Sequence, residues 1–210
     1  MKNVFYKFPS TPHIAVLGNN DVRNDKCFST SERELFLSNE IIIEEKIDGA
    51  NLGISFDNNG NLIFQNRGNT LQSPYTGQWK KLQEWIEPKI DSLFEILDDH
   101  LILFGEWCYA KHSISYDHLP DWFIAFDVYD KNRDKFWSVA RRNKIIENIN
   151  IPCVPEIKRG YFSFQQLKEM SFKSRFGQQN AEGIYLRVDS DQWLLNRAKL
   201  VRPAFRQGID

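Results

Sequence analysis

What is scarce in this 210-residue sequence narrows it first. Its three cysteines, Cys27, Cys108 and Cys153, stand far apart and odd in number. There is no C-x-x-C pair and no His/Cys ligand spacing, which excludes a disulfide framework and a zinc site. Long apolar runs are missing too. Nothing approaches the roughly 18 consecutive apolar residues of a membrane span. The opening "MKNVFYKFPSTPH" lacks the apolar core of a secretion signal. Repeats, low-complexity tracts and obvious linkers are absent. The expectation is a soluble, intracellular, cytoplasmic protein with no membrane partner.

Net charge is also scarce, at −1, and by itself points to no partner. Its distribution is uneven. Residues 1–130 carry 11 Lys/Arg against 20 Asp/Glu, and residues 131–210 carry 16 against 8. Such a split suits an anion-binding face built from the C-terminal part, unless the two sets interleave in space.

What is present is an ordinary core-forming composition, 41% hydrophobic and 26% charged, enough for one globular domain. Runs rich in β-branched and aromatic residues predict strands at 40–46, 50–57, 61–67, 101–109, 121–130, 182–189 and 192–202. "DNNG" at 57–60 predicts a hairpin turn, because Asn and Gly tolerate positive φ. Residues 78–99 place Trp79, Leu82, Ile86, Ile90, Leu93 and Leu97 at helical spacing, with Pro88 marking a kink. Ser138 and a similar serine at 163 are candidate N-caps of two further helices, 138–149 and 163–170. The fold class read from this order is α+β, with mostly antiparallel sheets flanked by helices. "FPSTPHI", with two prolines and His13, reads as a rigid surface turn, with packing beside a binding pocket as the alternative.

The stretch "EEKIDGANLGISFD" carries the most chemistry. It sets one lysine, Lys46, at the end of an apolar strand, with Gly49 three residues later. A buried strand-end lysine is costly unless its charge is compensated or its amine neutral, and a neutral amine among other cations is a nucleophile. The competing reading is a lysine that snorkels to solvent beside a glycine turn.

Five further segments follow in order, and together they resemble the covalent nucleotidyltransferase superfamily of DNA ligases, RNA ligases and mRNA-capping guanylyltransferases. "EKIDGAN" looks like the lysine motif, with Asn51 where type-2 phage RNA ligases have it. "QNRG" resembles the arginine element, with Arg67. "LFGEWCY" and "FIAFDVYD" look like the next two motifs, with Glu106 and Phe126. "EGIYLR" matches the Glu-Gly motif through Glu182, and "RAKLVR" the final basic motif through Arg197 and Lys199.

The resemblance implies an ATP-grasp-like ligase adenylation domain over residues 1–210 with a nucleotide cleft, working with ATP and Mg²⁺ or Mn²⁺. It implies lysyl-AMP formed on Lys46, transfer of AMP to a 5′-phosphate, and sealing to a 3′-hydroxyl. Lys199 and Arg197 would hold phosphate oxygens, and Arg67 would grip phosphate bidentately. Glu45 would read the adenine edge, Phe126 stack on the base, and Glu106 contact the ribose. Glu182 is the implied metal ligand. Asn51 is implied in sealing, and Asp48 in a contact to sugar or metal, beside Gly49. Phe126 has core packing as its rival role, and Glu106 a structural ion pair. His112 and His118 receive no role.

The sequence departs from the family in ending eight residues after Arg202, with no C-terminal OB domain. A partner protein or separate domain is therefore an expected contributor, alongside RNA ends as substrate. The nearest alternatives are a minimal ATP-dependent DNA ligase, a guanylyltransferase, and a non-catalytic nucleic-acid end-binding module.

Overall fold

The computed structural model describes residues 5–18 and 26–203. In chain order its elements are α1 (Thr30–Leu37), β1 (Ile41–Lys46), β2 (Ala50–Phe56), β3 (Leu62–Gln65), α2 (Leu82–Ile86), α3 (Ile90–Ile96), β4 (Leu101–Trp107), β5 (Phe123–Asp130), β6 (Lys135–Phe136), α4 (Val139–Ile146), β7 (Glu156–Gly160), α5 (Phe164–Glu169), β8 (Gly183–Asp189) and β9 (Leu194–Val201). They fall into two compact units: Met1–Phe8, Gly49–Lys111 and Asp121–Cys153 form one, and Pro9–Asp48, His112–Pro120 and Val154–Asp210 the other. Each has one antiparallel sheet, as the α+β reading expects.

The first unit carries the five-stranded sheet, ordered β3-β2-β4-β5-β6. The β2–β3 hairpin turns at "DNNG" as the sequence predicts. Asp57 Oδ1 accepts the Asn59 and Asn61 amides, and Gly60 takes φ +78°. Aromatic rings fill much of this unit, with Trp85 against Trp107 and Phe123 at 5.5 and 5.3 Å. Gly105 exists for that packing, because a Cβ there would lie 2.4 Å from the Phe123 ring. The predicted 78–99 helix is broken into α2 and α3. The break comes at Pro88, inside a 3-10 turn over Glu87–Lys89.

One irregularity stands on β5. Phe104 pairs with Asp127 and Gly105 with Ala125, so Phe126 has no opposite residue on β4. This is a β-bulge, which re-aims the extra side chain out of the strand's alternation.

The second unit carries the four-stranded sheet, ordered β7-β1-β8-β9. One face is apolar: Ile41, Ile43, Ile184, Leu186, Ala198 and Leu200 form a buried cluster with Phe36 of α1 and Leu167 of α5. Strand alternation puts Glu44 and Lys46 of β1, Tyr185 and Arg187 of β8, and Arg197 and Lys199 of β9 on the opposite face. This face is polar.

Several features depart from the sequence reading. The "FPSTPHI" segment is not a surface turn. Thr11, His13, Ile14 and Ala15 are all buried. Residues 12–14 run alongside β9, with the Lys199 amide donating to Pro12 O and the Ile14 amide to Lys199 O, both at 2.9 Å. Strands β6 and β7 and helix α1 were not anticipated. The basic C-terminal half is divided as well: Arg142 of α4 is buried in the first unit, and Arg187 in the second.

Candidate functional site

In the second unit, β1 delivers Lys46 at its last position, where the side chain is only 12% exposed. Its Nζ donates to Glu182 Oε2 at 2.5 Å. Glu182 immediately precedes β8, whose first residue, Gly183, is the cross-strand neighbour of Lys46. A Cβ on Gly183 would meet Leu200 O at 2.3 Å, so β8 and β9 come together here only because the side chain is missing. Burial pushes the Glu182 carboxyl up, while Lys46 and then Lys199 pull it back and Asp48 adds to the rise. The Tyr185 ring lies 5.9 Å from Lys46 Nζ.

Glu45, the residue before the lysine, is fully buried. Its Oε2 accepts the Arg175 amide at 2.9 Å, and its Oε1 is buried with no hydrogen-bond partner. Burial raises its carboxyl above the usual range, against the Ser174 hydroxyl and the Arg175 amide. An unpaired carboxylate oxygen held this way is an acceptor waiting for a donor. Asp48 has other work. Its Oδ2 accepts the Ser113 and Ile114 amides at 2.6 and 2.9 Å, and its own amide donates to Tyr116 Oη. It anchors the loop that carries His112, whose Nε2 is buried without a partner.

Arg197 and Lys199 lie two apart on β9, opposite Arg187 and Tyr185 of β8. Sequence reading ranked a surface turn above a place beside the pocket for His13, which flanks Lys199 and is 5% exposed. Burial first, then Lys199, Lys46 and Lys26, lower its pKa to about 4. The "PSTPH" prolines concealed it, because they signal a turn more strongly than one histidine signals a site.

The first unit holds the other candidates. Gly49 lies so close to β4 that a Cβ would meet Trp107 O at 2.9 Å and Cys108 Sγ at 3.0 Å. Asn51 of β2 faces Glu106 of β4 across the ladder, and the Asn51 Oδ1 is buried with no partner. Phe126 is half-buried at the bulge, packs edge-on to Phe8 at 5.3 Å, and gives its carbonyl to Arg142 Nη1. Arg67 is exposed, in a turn that Asn66 closes by accepting the Gly68 and Asn69 amides.

Two antiparallel sheets with a buried lysine at the end of β1 describe the fold of a ligase adenylation domain. Solved structures of the same fold include a Naegleria gruberi RNA ligase variant without ligand, with a TM-score of 0.70 at 14% identity over 97% of this chain and 58% of that one. A variant of that ligase with ATP and Mn gives 0.67 at 15% identity, over 81% of this chain and 52% of that one. This chain thus spans about half the length of those proteins. No curated protein matches. The sequence profile described as RNA ligase matches residues 39–201, and the chain belongs to that family.

Proposed function

We propose that this chain is an ATP-dependent RNA ligase in which residues 1–210 act as a single adenylyltransferase domain and Lys46 carries the nucleotide. The observation that carries the reading is the Lys46–Glu182 pair. A largely buried amine is held by a carboxylate whose own burial raises its pKa, and Lys199 acts on the same carboxylate.

The chemistry follows from those side chains. Lys46 Nζ attacks the α-phosphorus of ATP as a neutral amine, pyrophosphate leaves, and a phosphoramide to AMP remains. Lys199 and Arg197 neutralise the phosphate oxygens as charge spreads in the in-line displacement. Glu182 fits a magnesium or manganese ion, since such ions take one or two carboxylates and fill their remaining positions with phosphate oxygens and water. The bound cation supplies charge neutralisation. Glu182 would then divide its two oxygens between that ion and Lys46.

Glu45 Oε1, buried and unpaired, suits the exocyclic amine of adenine. Phe126 is offered for stacking, Glu106 for the ribose, and Arg67 for phosphate. Asn51 Oδ1 is a free acceptor for the sealing step. Gly49 keeps the backbone close to β4. Asp48 is offered for sugar or metal, its Oδ2 also holding the 112–118 loop. The substrate class is RNA 5′-phosphate and 3′-hydroxyl ends, with a partner protein or further domain completing the grip on the duplex.

Incubation with labelled ATP and Mg²⁺ tests this directly. Wild type is expected to form a covalent AMP adduct that Lys46→Ala abolishes, and to seal nicked RNA in preference to nicked DNA. A chain that binds RNA ends yet forms no adduct is an end-binding module, and preferential DNA sealing would make it a DNA ligase.

A further inference from the structure

His13 extends one row of side chains across the second unit's sheet. Glu44 of β1 pairs with Tyr185 of β8, Tyr185 with Lys199 of β9, and Lys199 with His13. The last pairing is parallel and is locked by the two backbone hydrogen bonds from residues 12 and 14. On its far side His13 is held as firmly, its amide donating to Lys26 O at 2.6 Å and its carbonyl accepting the Phe28 amide at 2.8 Å. Side chains in one row share a face, so the imidazole stands on the polar face with Lys199.

The charged groups acting on this imidazole are Lys199 of β9, Lys46 of β1 and Lys26 of the adjoining segment. Its low pKa leaves it neutral at physiological pH, with one ring nitrogen a donor and the other an acceptor. The acceptor has ammonium groups to choose from. The donor has no complement among them, because lysines only donate. The carboxylates of this region are engaged, Glu182 by Lys46, Asp48 by the Ser113 and Ile114 amides, and Glu44 by Arg187 at 3.9 Å. With Lys46 paired to Glu182, the imidazole N–H, Lys199 and Lys26 concentrate donors at this end of the polar face, and the natural complement of such donors is a polyanionic oxygen ligand.

We propose that His13 is a phosphate-binding residue of the nucleotide site, its neutral imidazole donating to a phosphate oxygen of the triphosphate that Lys199 also engages. The assignment rests on the ligase reading of this site and extends it to a residue outside the matched 39–201 stretch. A neutral donor suits the position. It binds phosphate through an N–H that is present without protonation of the ring.

His13→Phe keeps the bulk and burial of the ring and removes the donor, while His13→Gln and His13→Asn return a neutral N–H. Titration calorimetry with tripolyphosphate, thermal melting, and single-turnover adduct formation from labelled ATP are read on all four proteins. The expected result is tripolyphosphate binding weakened about tenfold or more in His13→Phe. The melting temperature should hold, and one amide variant should recover most of the affinity. Tripolyphosphate binding unchanged in His13→Phe overturns the proposal. So does absent binding in wild type, or a loss that neither amide rescues. Failure of the ligase reading looks different: His13-dependent tripolyphosphate binding with no adduct in wild type leaves the phosphate site standing and removes the reaction.

Discussion

His13 ties the chemistry of the polar face to the stability of the fold. Its folded pKa of about 4 lies below the ordinary histidine value of 6.5, because burial and three lysines disfavour the imidazolium. Above pH 6.5 neither folded nor unfolded protein holds that proton, and the group is neutral in its effect. As pH falls through 6.5 the unfolded chain gains the proton and the native one rejects it. Stability is therefore lost between pH 6.5 and 4, by an amount on the order of 1–3 kcal/mol. Urea melts at pH 7 and pH 5 should show His13→Phe losing less stability on acidification than wild type. Equal losses would mean that the imidazole protonates freely in the native state. The sequence displayed this residue but not its surroundings. Lys199 lies 186 positions away along the chain, and only pairing with β9 brings the two together. Lys46 was legible because its motif is local, and Glu45 with it.

At the scale of elements, sequence pattern was most reliable where a strand is buried on both faces. The runs "EIIIEEK" and "LILFGEWCY" became β1 and β4 with few irregularities, since their apolar residues have only one place to go. Short polar pieces were missed for the converse reason. Strand β7, "EIKRG", is an edge strand with mostly exposed side chains and owes its conformation to pairing with β1. Helix α1 was less excusable. Its start is a complete capping box, Ser29 with Glu32, which "STSE" announces. The antiparallel strands β8 and β9 approach closely at Gly183. Gly183→Ala drives a methyl group against the Leu200 backbone, which has no flexible end to yield. The expected cost is about 1–3 kcal/mol, or about 5 °C of melting temperature, with weaker adenylation because Glu182 is the preceding residue. A melt within 1 °C or so of wild type would show that the strands part without strain.

For the whole molecule, the uneven charge along the chain does not translate into one basic body. Arg141, Arg142 and Lys144 belong to α4 of the first unit, whereas Arg197, Lys199 and Arg202 belong to the second. Two of the arginines, Arg142 and Arg187, are buried and bind backbone or carboxylate within their own units. With a net charge of −1, the exposed cations must act locally. Binding to nicked RNA should accordingly involve few phosphate contacts and still fall with salt, roughly tenfold or more between 50 and 200 mM for about three contacts. Fluorescence anisotropy measures this, and an affinity flat in salt would exclude phosphate contacts as its source. Among the described residues no helix is long and apolar enough to cross a membrane.

The bulge at Phe126 carries one more implication. Every other rung between β4 and β5 is paired on either side of it. The extra residue also serves the fold, since its carbonyl accepts from the buried Arg142 and its ring packs edge-on to Phe8. What the bulge adds to those contacts is an aromatic ring freed from the strict alternation of the pleat.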